Sequence, residues 1–382
     1  MAVINPVRIG AAQSSSGGYQ RPSDWLTLPA ISAGENKMNG LHTVYDREFN
    51  FMALHIRGAN YTVNIYNKTT LVESFIAQSS YFYYNFDYSD FQDTECSRGY
   101  RQAIVEIIAE GSDTFTDFNF SKAHPTPNNS TYSSGWLDIN IAGSDITTCF
   151  LAGNRQDSNA QINHFYIERF NAVDLEFYNL VYNFYNLRVL QELIFTLSSS
   201  IPISMHYTFY SCNMLPDSFF EELYNSLDTS LISSINYSGH KGNLTIDISN
   251  IGTLTYISSY CQSLTLINGN VIDHDFSLSC NNTSIESFII DDASTIINTS
   301  NAWTLCRNLK HFEAPGIKIR FSLNYAPLSF SEIEDIIYNQ IADLTGDTSQ
   351  SLSFTNCYGA ADAGMAALAT WAASNKNWTI IY

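Results

Sequence analysis

Cys261-Gln-Ser-Leu264-Thr-Leu-Ile-Asn-Gly-Asn and Cys306-Arg-Asn-Leu309-Lys-His-Phe-Glu-Ala-Pro-Gly share one phrase, which occurs in shorter form as Cys212-Asn-Met-Leu215. The first two run from the cysteine straight into a strand-length stretch. Between them lies Ser284-Ile-Glu-Ser-Phe-Ile-Ile-Asp-Asp, similar in pattern but without the cysteine. The anchors Leu264, Ile285 and Leu309 stand 21 and 24 residues apart. An interval of roughly 20–30 residues is one coil of a stacked-repeat chain. Stacked coils build broad surfaces, so the phrase predicts a binding or assembly role. Cys212, Leu215, Cys261, Leu264, Ile285, Cys306 and Leu309 are then the repeat core, with the cysteines in one register as small buried spacers.

A second internal echo supports repetition. Phe219-Phe-Glu-Glu-Leu-Tyr-Asn-Ser-Leu227 matches Ile333-Glu-Asp-Ile-Ile-Tyr-Asn-Gln-Ile341 at an offset of 114. Apolar residues at i, i+4 and i+8 mark one face of a helix. Ser218 and Ser331 are placed to cap these helices, with glutamates in the first turn. Each helix leads toward a strand, as in a repeat unit whose outer side is helical. Near the C-terminus, Gly359 to Ala373 is Ala-rich and predicts a packing helix carrying Leu368 and Trp371. Asn375-Lys-Asn then turns into the strand Trp378-Thr-Ile-Ile-Tyr, an atypical unit of the kind that closes an open stack.

The first third reads differently. Asn50-Phe-Met-Ala-Leu-His-Ile-Arg, Tyr61-Thr-Val-Asn-Ile-Tyr and Gln102-Ala-Ile-Val-Glu-Ile-Ile-Ala are strand-length and rich in β-branched and aromatic residues. Trp136-Leu-Asp-Ile-Asn-Ile-Ala-Gly alternates apolar with polar, as a half-buried strand does. Turn clusters separate these runs, which predicts a β-sandwich over residues 21–145. Residues 1–20 end in the linker-like Gln13-Ser-Ser-Ser-Gly-Gly-Tyr. They are expected to form an extended attachment arm, with Val3, Ile4, Pro6, Val7, Arg8 and Ile9 as its binding residues. Such an arm packs on another subunit or folds back on its own domain, and the first is the expectation here. The sequence therefore divides into an arm at 1–20, a β-sandwich at 21–145 and repeats over 146–382. The fold class is mainly β with some α: an N-terminal β-sandwich followed by an irregular solenoid.

Composition narrows the function. Charged residues make up only 14% of the chain, against roughly 25% in ordinary soluble domains. Asn, Ser, Thr and 24 tyrosines supply polarity instead. This balance suits extracellular or virion β-proteins. A formal charge of −19 repels phosphate backbones, so no nucleic-acid partner is expected. No run approaches the roughly 18 apolar residues that span a bilayer, so no membrane insertion is expected. The N-terminus lacks the basic and apolar regions of a secretory signal, which is compatible with release inside a virion by lysis. Seven cysteines without a Cys-x-x-Cys pair speak against zinc.

With these residues quoted, two family resemblances stand out. Roughly residues 185–382 resemble the irregular leucine-rich repeats of the BspA type, found in bacterial surface proteins and phage tail proteins. The Cys-x-x-Leu phrases and the closing Trp378-Thr-Ile unit carry it. The N-terminal part is similar to β-domains in virion proteins of tailed phages. Its phrases are Arg21-Pro-Ser-Asp-Trp-Leu-Thr-Leu-Pro29, Gly40-Leu-His-Thr-Val, Glu95-Cys-Ser-Arg-Gly-Tyr-Arg-Gln-Ala-Ile and Ser134-Gly-Trp-Leu-Asp-Ile. In related PKD-like sandwiches the Tyr-Thr-Val strand runs into Asp-Trp-Gly-Asp-Gly-Thr. Here Asn64-Ile-Tyr-Asn-Lys-Thr69 has lost the glycines and acidic residues of that tight turn.

The resemblances imply a non-enzymatic structural protein of a tailed-phage virion, a tail-fibre or receptor-binding component. An adaptor or capsid-decoration (head-fibre) subunit and a tail-associated depolymerase are the alternatives. Implied partners are other virion proteins through the arm, a host-surface receptor or glycan, and further copies in a homo-oligomer; no cofactor is expected. Two acidic groups bear on chemistry. Asp87-Tyr-Ser-Asp-Phe-Gln-Asp-Thr-Glu95 offers carboxylates to calcium but lacks the spacing of a calcium loop. Asp291 and Asp292 are adjacent, and neighbours on a strand face opposite ways, which is unlike a glycosidase pair. Phe177, Tyr178, Tyr182, Phe184 and Tyr185 crowd a helical-looking segment as core residues or as sugar-stacking anchors.

Overall fold

The computed structural model describes residues 7–9, 19–47, 50–78, 81–120, 134–151, 166–177, 180, 183–197, 203–206, 208–209, 212, 214–226, 232–238, 242–258, 261–281 and 283–382. It is mainly β with few helices, as the strand-length runs predict. The chain forms two bodies, Met1–Ile201 with Thr208–Glu222 and Pro202–Tyr207 with Leu223–Tyr382.

The first body holds β1 (Val7–Ile9), β2 (Lys37–Val44), β3 (Phe51–Arg57), β4 (Tyr61–Asn67), β5 (Thr70–Ala77) and β6 (Tyr81–Asn85). These are followed by β7 (Arg101–Ala109), β8 (Asp117–Asn119), β9 (Trp136–Ala142), β10 (Thr148–Phe150), β11 (Arg169–Phe177) and β12 (Glu192–Leu197). One sheet has eight strands in the order β1-β12-β11-β9-β2-β7-β4-β5, and a second has β10-β8-β3-β6. Rings cross from one sheet to the other: Tyr61 on β4 meets Phe82 on β6 at 5.7 Å, and Phe75 on β5 meets Phe82 at 6.0 Å. β4 and β5 join through Lys68-Thr69, with Lys68 at φ 56°. The tight turn thus survives without the glycines of the PKD-like pattern.

Two sequence expectations change here. The described part of the arm, Val7, Arg8 and Ile9, is β1, paired antiparallel with Leu197, Thr196 and Phe195 of the same chain. A row of backbone donors and acceptors is satisfied by the chain's own sheet edge, so these three residues fold back instead of extending away. Val3, Ile4 and Pro6 lie outside the described residues. The expected boundary at 145/146 also falls inside the first body. β9, β11 and β12 pair in parallel, with Asp138 opposite Arg169 and Arg169 opposite Glu192. Such long-range pairing leaves no mark in local sequence. Among its described residues the crowded segment after Arg169 is not helical: Phe177 ends β11, and Phe177 and Phe184 are buried ring neighbours at 6.0 Å. Tyr178 and Tyr182 lie outside the described residues.

The second body contains β13 (Ile203–His206), β14 (Ile232–Ser238), β15 (Asn243–Asp247), β16 (Thr253–Ser258), β17 (Ser263–Ile267) and β18 (His274–Asp275). Then come β19 (Ser287–Ile290), β20 (Ile296–Asn298), β21 (His311–Glu313), β22 (Phe321–Ser322), β23 (Gln350–Ser353) and β24 (Trp378–Ile381). From β14 on, strands alternate between two parallel ladders, β13-β14-β16-β18-β20 and β15-β17-β19-β21; a third sheet is β22-β23-β24. In the second ladder Leu244, Leu264, Phe288 and Phe312 are in register and buried. Each strand entry sends two amides to one carbonyl of the strand before: Glu286 and Ser287 to Gln262, Lys310 and His311 to Glu286.

That register corrects the Cys-x-x-Leu alignment. β17 to β19 and β19 to β21 are each offset by 24 residues. Leu264 therefore corresponds to Phe288 and Phe312, whereas Ile285 and Leu309 correspond to Cys261. The two cysteine phrases are three residues out of phase, because Leu309 closes a turn back to Cys306 (3.1 Å) while Leu264 is already inside a strand. Cys212 and Leu215 belong to the other body. All seven repeat-core residues are buried, but they are not one column.

Among the described residues there are three α-helices: α1 (Asp217–Ser226), α2 (Phe330–Asp335), which continues as a π-helical turn over Ile336–Gln340, and α3 (Met365–Lys376). The expected face Ile333, Ile337 and Ile341 is buried. The cap is Ser329, whose Oγ accepts from the Glu332 amide, and not Ser331; Ser218 lies within α1. α3 ends at Asn377 in the left-handed region, as the Asn375-Lys-Asn turn predicts, and Trp371 meets Tyr338 at 4.5 Å.

The π-helical turn delivers Gln340 to the open edge of β21. Its Nε2 donates to the Phe312 carbonyl (2.8 Å) and its Oε1 accepts from the Ala314 amide (2.8 Å). This is the pair of bonds that a further parallel strand would make beside Glu313. A buried side-chain amide thus finishes the ladder. Its second Nε2 proton goes to Asp335 (2.7 Å).

Gln340→Leu leaves the Phe312 carbonyl and the Ala314 amide buried without partners. At about 1–3 kcal/mol for each orphaned group, urea unfolding should show a loss of about 2–5 kcal/mol. Hydrogen bonds from Asn339 and Gln340 hold the Asp335 carboxyl below its ordinary value. A depressed folded pKa stabilises above the unfolded value of about 3.9 and is lost as pH falls through the folded one. Asp335→Asn should therefore unfold less steeply than the native chain below about pH 4, measured by circular dichroism.

Candidate functional site

The residues singled out for chemistry prove to hold backbone in place. Asp291 accepts from the amides of Asn268 (2.7 Å) and Gly269 (3.0 Å), and Asp292 from that of Ser294 (2.8 Å). Gly269 is required there, since a Cβ would sit 2.2 Å from the Asp292 carbonyl oxygen. In the acidic run, Asp87 caps a short 3-10 helix through Ser89, and Glu95 pairs with Arg101 at 2.8 Å. Among the described residues no group of His, Cys, Asp and Glu is arranged to hold a metal ion.

The seven cysteines are free and buried. Burial pushes the thiols of Cys212 and Cys357 up to about 12 and that of Cys306 up to about 11. Their sulfurs lie against main-chain oxygens, Cys306 on Cys280 (2.8 Å) and Cys357 on Leu323 (3.1 Å). These are packing residues, as the sequence predicts, and poor nucleophiles.

The first body carries a charge network that the sequence did not reveal. Asp138, 1% exposed, receives Arg21 (2.8 Å) and Arg169 (3.0 Å); Arg169 also pairs with Glu192, and Arg98 with Glu168. Arg21 further donates to the carbonyls of Trp25 and Leu26, while the Trp25 indole donates to the Tyr100 hydroxyl (3.1 Å). Each buried charge has a partner, and the network clamps the Arg21–Trp25 segment onto β9, β11 and β12. Its role is structural.

An open groove of about 690 Å³ lies in the second body, where its parallel pairing is interrupted. β20 ends one sheet and β22 begins another. On either side the chain makes a series of equivalent turns. Ser279 bonds back to Phe276, Ala302 to Thr299, Ala326 to Leu323 and Cys357 to Phe354, at 2.9–3.1 Å. The third residue of each turn, Leu278, Asn301, Tyr325 or Asn356, has φ between 55° and 68°. Backbone bonds tie the first turn to the second (Leu278 to Ser300, 2.9 Å) and the third to the fourth (Tyr325 to Thr355, 3.1 Å). Among the described residues none ties the second to the third, and the groove opens there. Only the Thr299 hydroxyl, donating to the Arg320 carbonyl, spans the gap.

The lining is mostly amide and hydroxyl, with Ile297, Ile319 and Phe321 as its apolar part, a single cation, Arg320, and no carboxylate. Asn298 is fully engaged, donating to Asp275 (3.2 Å) and accepting from the Ser300 amide (3.0 Å). Asn324 Oδ1 accepts from Ser353 (2.7 Å) and Gln350 Oε1 from the Arg320 amide (3.0 Å). Asn324 Nδ2, Gln350 Nε2 and the Arg320 guanidinium have no acceptor among the described residues. The groove therefore offers hydrogen-bond donors. Tyr325, next to Asn324, is 46% exposed, and the Arg307 guanidinium lies 6.0 Å from its ring centre.

No sequence pattern marks this site, because its walls come from the separate segments 297–304, 319–324 and 350–353 and are mostly of residue types common throughout the chain. Compared with known proteins, the chain matches no family model, no curated protein and no solved structure.

Raised thiol pKa values give a direct check. At pH 8 the folded chain should resist iodoacetamide, and all seven cysteines should react once guanidinium unfolds it. Mass spectrometry counts the adducts; rapid labelling of the folded chain at Cys306 or Cys357 would contradict the buried arrangement.

Proposed function

We propose that this chain is a non-enzymatic structural protein of a tailed-phage virion, serving as a tail-fibre or receptor-binding component. In this reading the first body is a PKD-like β-sandwich that joins the particle. The second is an irregular leucine-rich-repeat solenoid that displays a binding surface. The observation that carries the reading is the pair of alternating parallel ladders, whose rungs from β14 on step by 19 to 24 residues. Alternate residues of the second ladder turn inward, and the outward positions of its first two strands include the small polar residues Asn243, Thr245, Ser263 and Thr265, while Ile289, His311 and Glu313 occupy outward positions further on. A face of this kind grows by one row per coil and suits contact over a large area more than turnover in a closed pocket.

A second observation favours assembly. β5 is the open edge of the eight-stranded sheet and β6 that of the four-stranded sheet. They expose Ile76 (73%), Leu71 and Tyr83. An uncovered edge with apolar side chains is a template for pairing with another chain, which fits a homo-oligomer or a contact with neighbouring virion proteins. This supports the adaptor or decoration-subunit reading equally.

Purified full-length chain should block adsorption of the particle that carries it, in proportion to its concentration. Undiminished adsorption at saturating added chain would favour the adaptor alternative. Ile76→Lys places a charge on the open edge and should lower self-association in light scattering while leaving the thermal midpoint within a few degrees. An unchanged mass would remove β5 from the assembly surface.

A further inference from the structure

We propose that the groove between β20 and β22 binds an acidic carbohydrate, with Arg320 receiving the sugar's carboxylate or sulfate. The inference deepens the receptor-binding reading above and rests on it for its biological setting, but its argument is local.

Charge comes first. The chain carries 37 acidic and 18 basic residues, so by composition a lining of this size would hold about one carboxylate and fewer cations than carboxylates. This one has none, and has a guanidinium without an ion pair among the described residues. The groove is therefore a local positive site on a strongly negative protein. A guanidinium binds planar oxyanions in bidentate fashion and remains charged at any physiological pH.

Hydrogen-bond balance comes second. Neighbouring groups already occupy the acceptor oxygens of Asn324 and Gln350, and their amide nitrogens remain free to donate. Together with Arg320 they make a surplus of donors. A ligand that satisfies it must be rich in acceptors, as the ring, hydroxyl and carboxylate or sulfate oxygens of an acidic sugar are. The hydroxyl of Ser351 in the same wall can both give and take a proton, which matches sugar hydroxyls.

Shape comes third. About 690 Å³ lies within the ordinary range for ligand sites of roughly 300–1,000 Å³. The groove is open along the surface, so a chain of sugars can continue past it. Tyr325, next to the lining residue Asn324, is partly exposed, and Arg307 over its ring adds a second positive charge nearby. The missing backbone bonds between the Thr299–Ala302 and Leu323–Ala326 turns explain the position. Elsewhere adjacent turns close on one another and leave no space.

The test uses the full-length chain and three tetrasaccharide probes in titration calorimetry at low salt. One alternates glucuronate with N-acetylglucosamine, one is its sulfated counterpart and one is the neutral N-acetylglucosamine tetramer. At least one acidic probe should bind, more tightly than the neutral one and less so as salt rises. Arg320→Ala should weaken that binding at least about tenfold, the least expected from losing a charge-assisted hydrogen bond. Gln350→Ala should weaken it less, and Arg320→Lys should recover part of it. The Arg320 side chain holds no other residue among the described ones, so the thermal midpoint should not move. The two acidic probes tell carboxylate from sulfate. Equal binding of all three probes, equal binding by Arg320→Ala and native chain, or no binding by either acidic probe overturns the proposal. If the acidic probes fail while the native chain still blocks particle adsorption, the groove is wrong and the receptor-binding reading stands. If both fail, both are wrong.

Discussion

Trp303 is the residue on which the second body turns. Its indole is buried and meets Phe288 at 5.2 Å, Phe312 at 5.0 Å and Phe321 at 5.8 Å, in each case edge to face. Phe288, Phe312 and Phe321 in turn stack on one another at 5.5 and 5.7 Å. Phe321 continues the column to Trp378 at 6.1 Å. Each such pair contributes about 0.5–1.5 kcal/mol beyond the area it buries. The column joins three strands of separate rows, β19, β21 and β22, to the final strand. A parallel ladder has slanted bonds that are slightly weaker per residue than antiparallel ones, so this register is set by what fills the interior.

The same column accounts for the groove. It carries packing across from β21 to β22 while the hydrogen-bonded pairing stops at β20. Side chains continue and backbone bonds do not, so the outer layer parts while the core stays closed. Polar residues from both rims then face a shared space. Gln340 solves the related problem on the other ladder by supplying one amide where a strand would have been. A ladder that ends must either expose its edge or borrow a partner, and this chain does both within one body.

Much of the local structure was legible. The helix face of Ile333, Ile337 and Ile341, the Ala-rich helix before Asn377 and the closing strand at Trp378 all follow from periodicity and turn chemistry. The buried, unreactive cysteines follow from their spacing. Register was not legible. Turns that close from i to i+3 make a step of three residues invisible to a pattern of Cys-x-x-Leu, and the eye aligned Cys261 with Cys306 where the backbone aligns Cys261 with Leu309. One further correspondence shows in the backbone. Residues 180–193 correspond to 299–312 at a constant offset of 119: Asn183 and Ala302 close the same turn, Asn186 and Leu305 share a positive φ, and Leu190 and Leu309 bond back three residues. That echo shows that the unit seen in the second body already occurs in the first, before the point where the cysteine phrases begin. The groove was beyond reach of sequence because three separated segments of ordinary polar residues make it.

The claim that the groove depends on the aromatic column can be measured by native-state hydrogen exchange in Trp303→Ala and the unaltered chain. The amides to follow are Ser287 and His311 in the ladder, and Leu278 and Leu323 in the turns on either side of the groove. The account predicts that all four lose protection together and by a common factor, because one packed column holds both the ladder and the groove walls. Faster exchange at Ser287 and His311 with Leu278 and Leu323 unchanged would contradict it, and would show that the groove stands on its own turns.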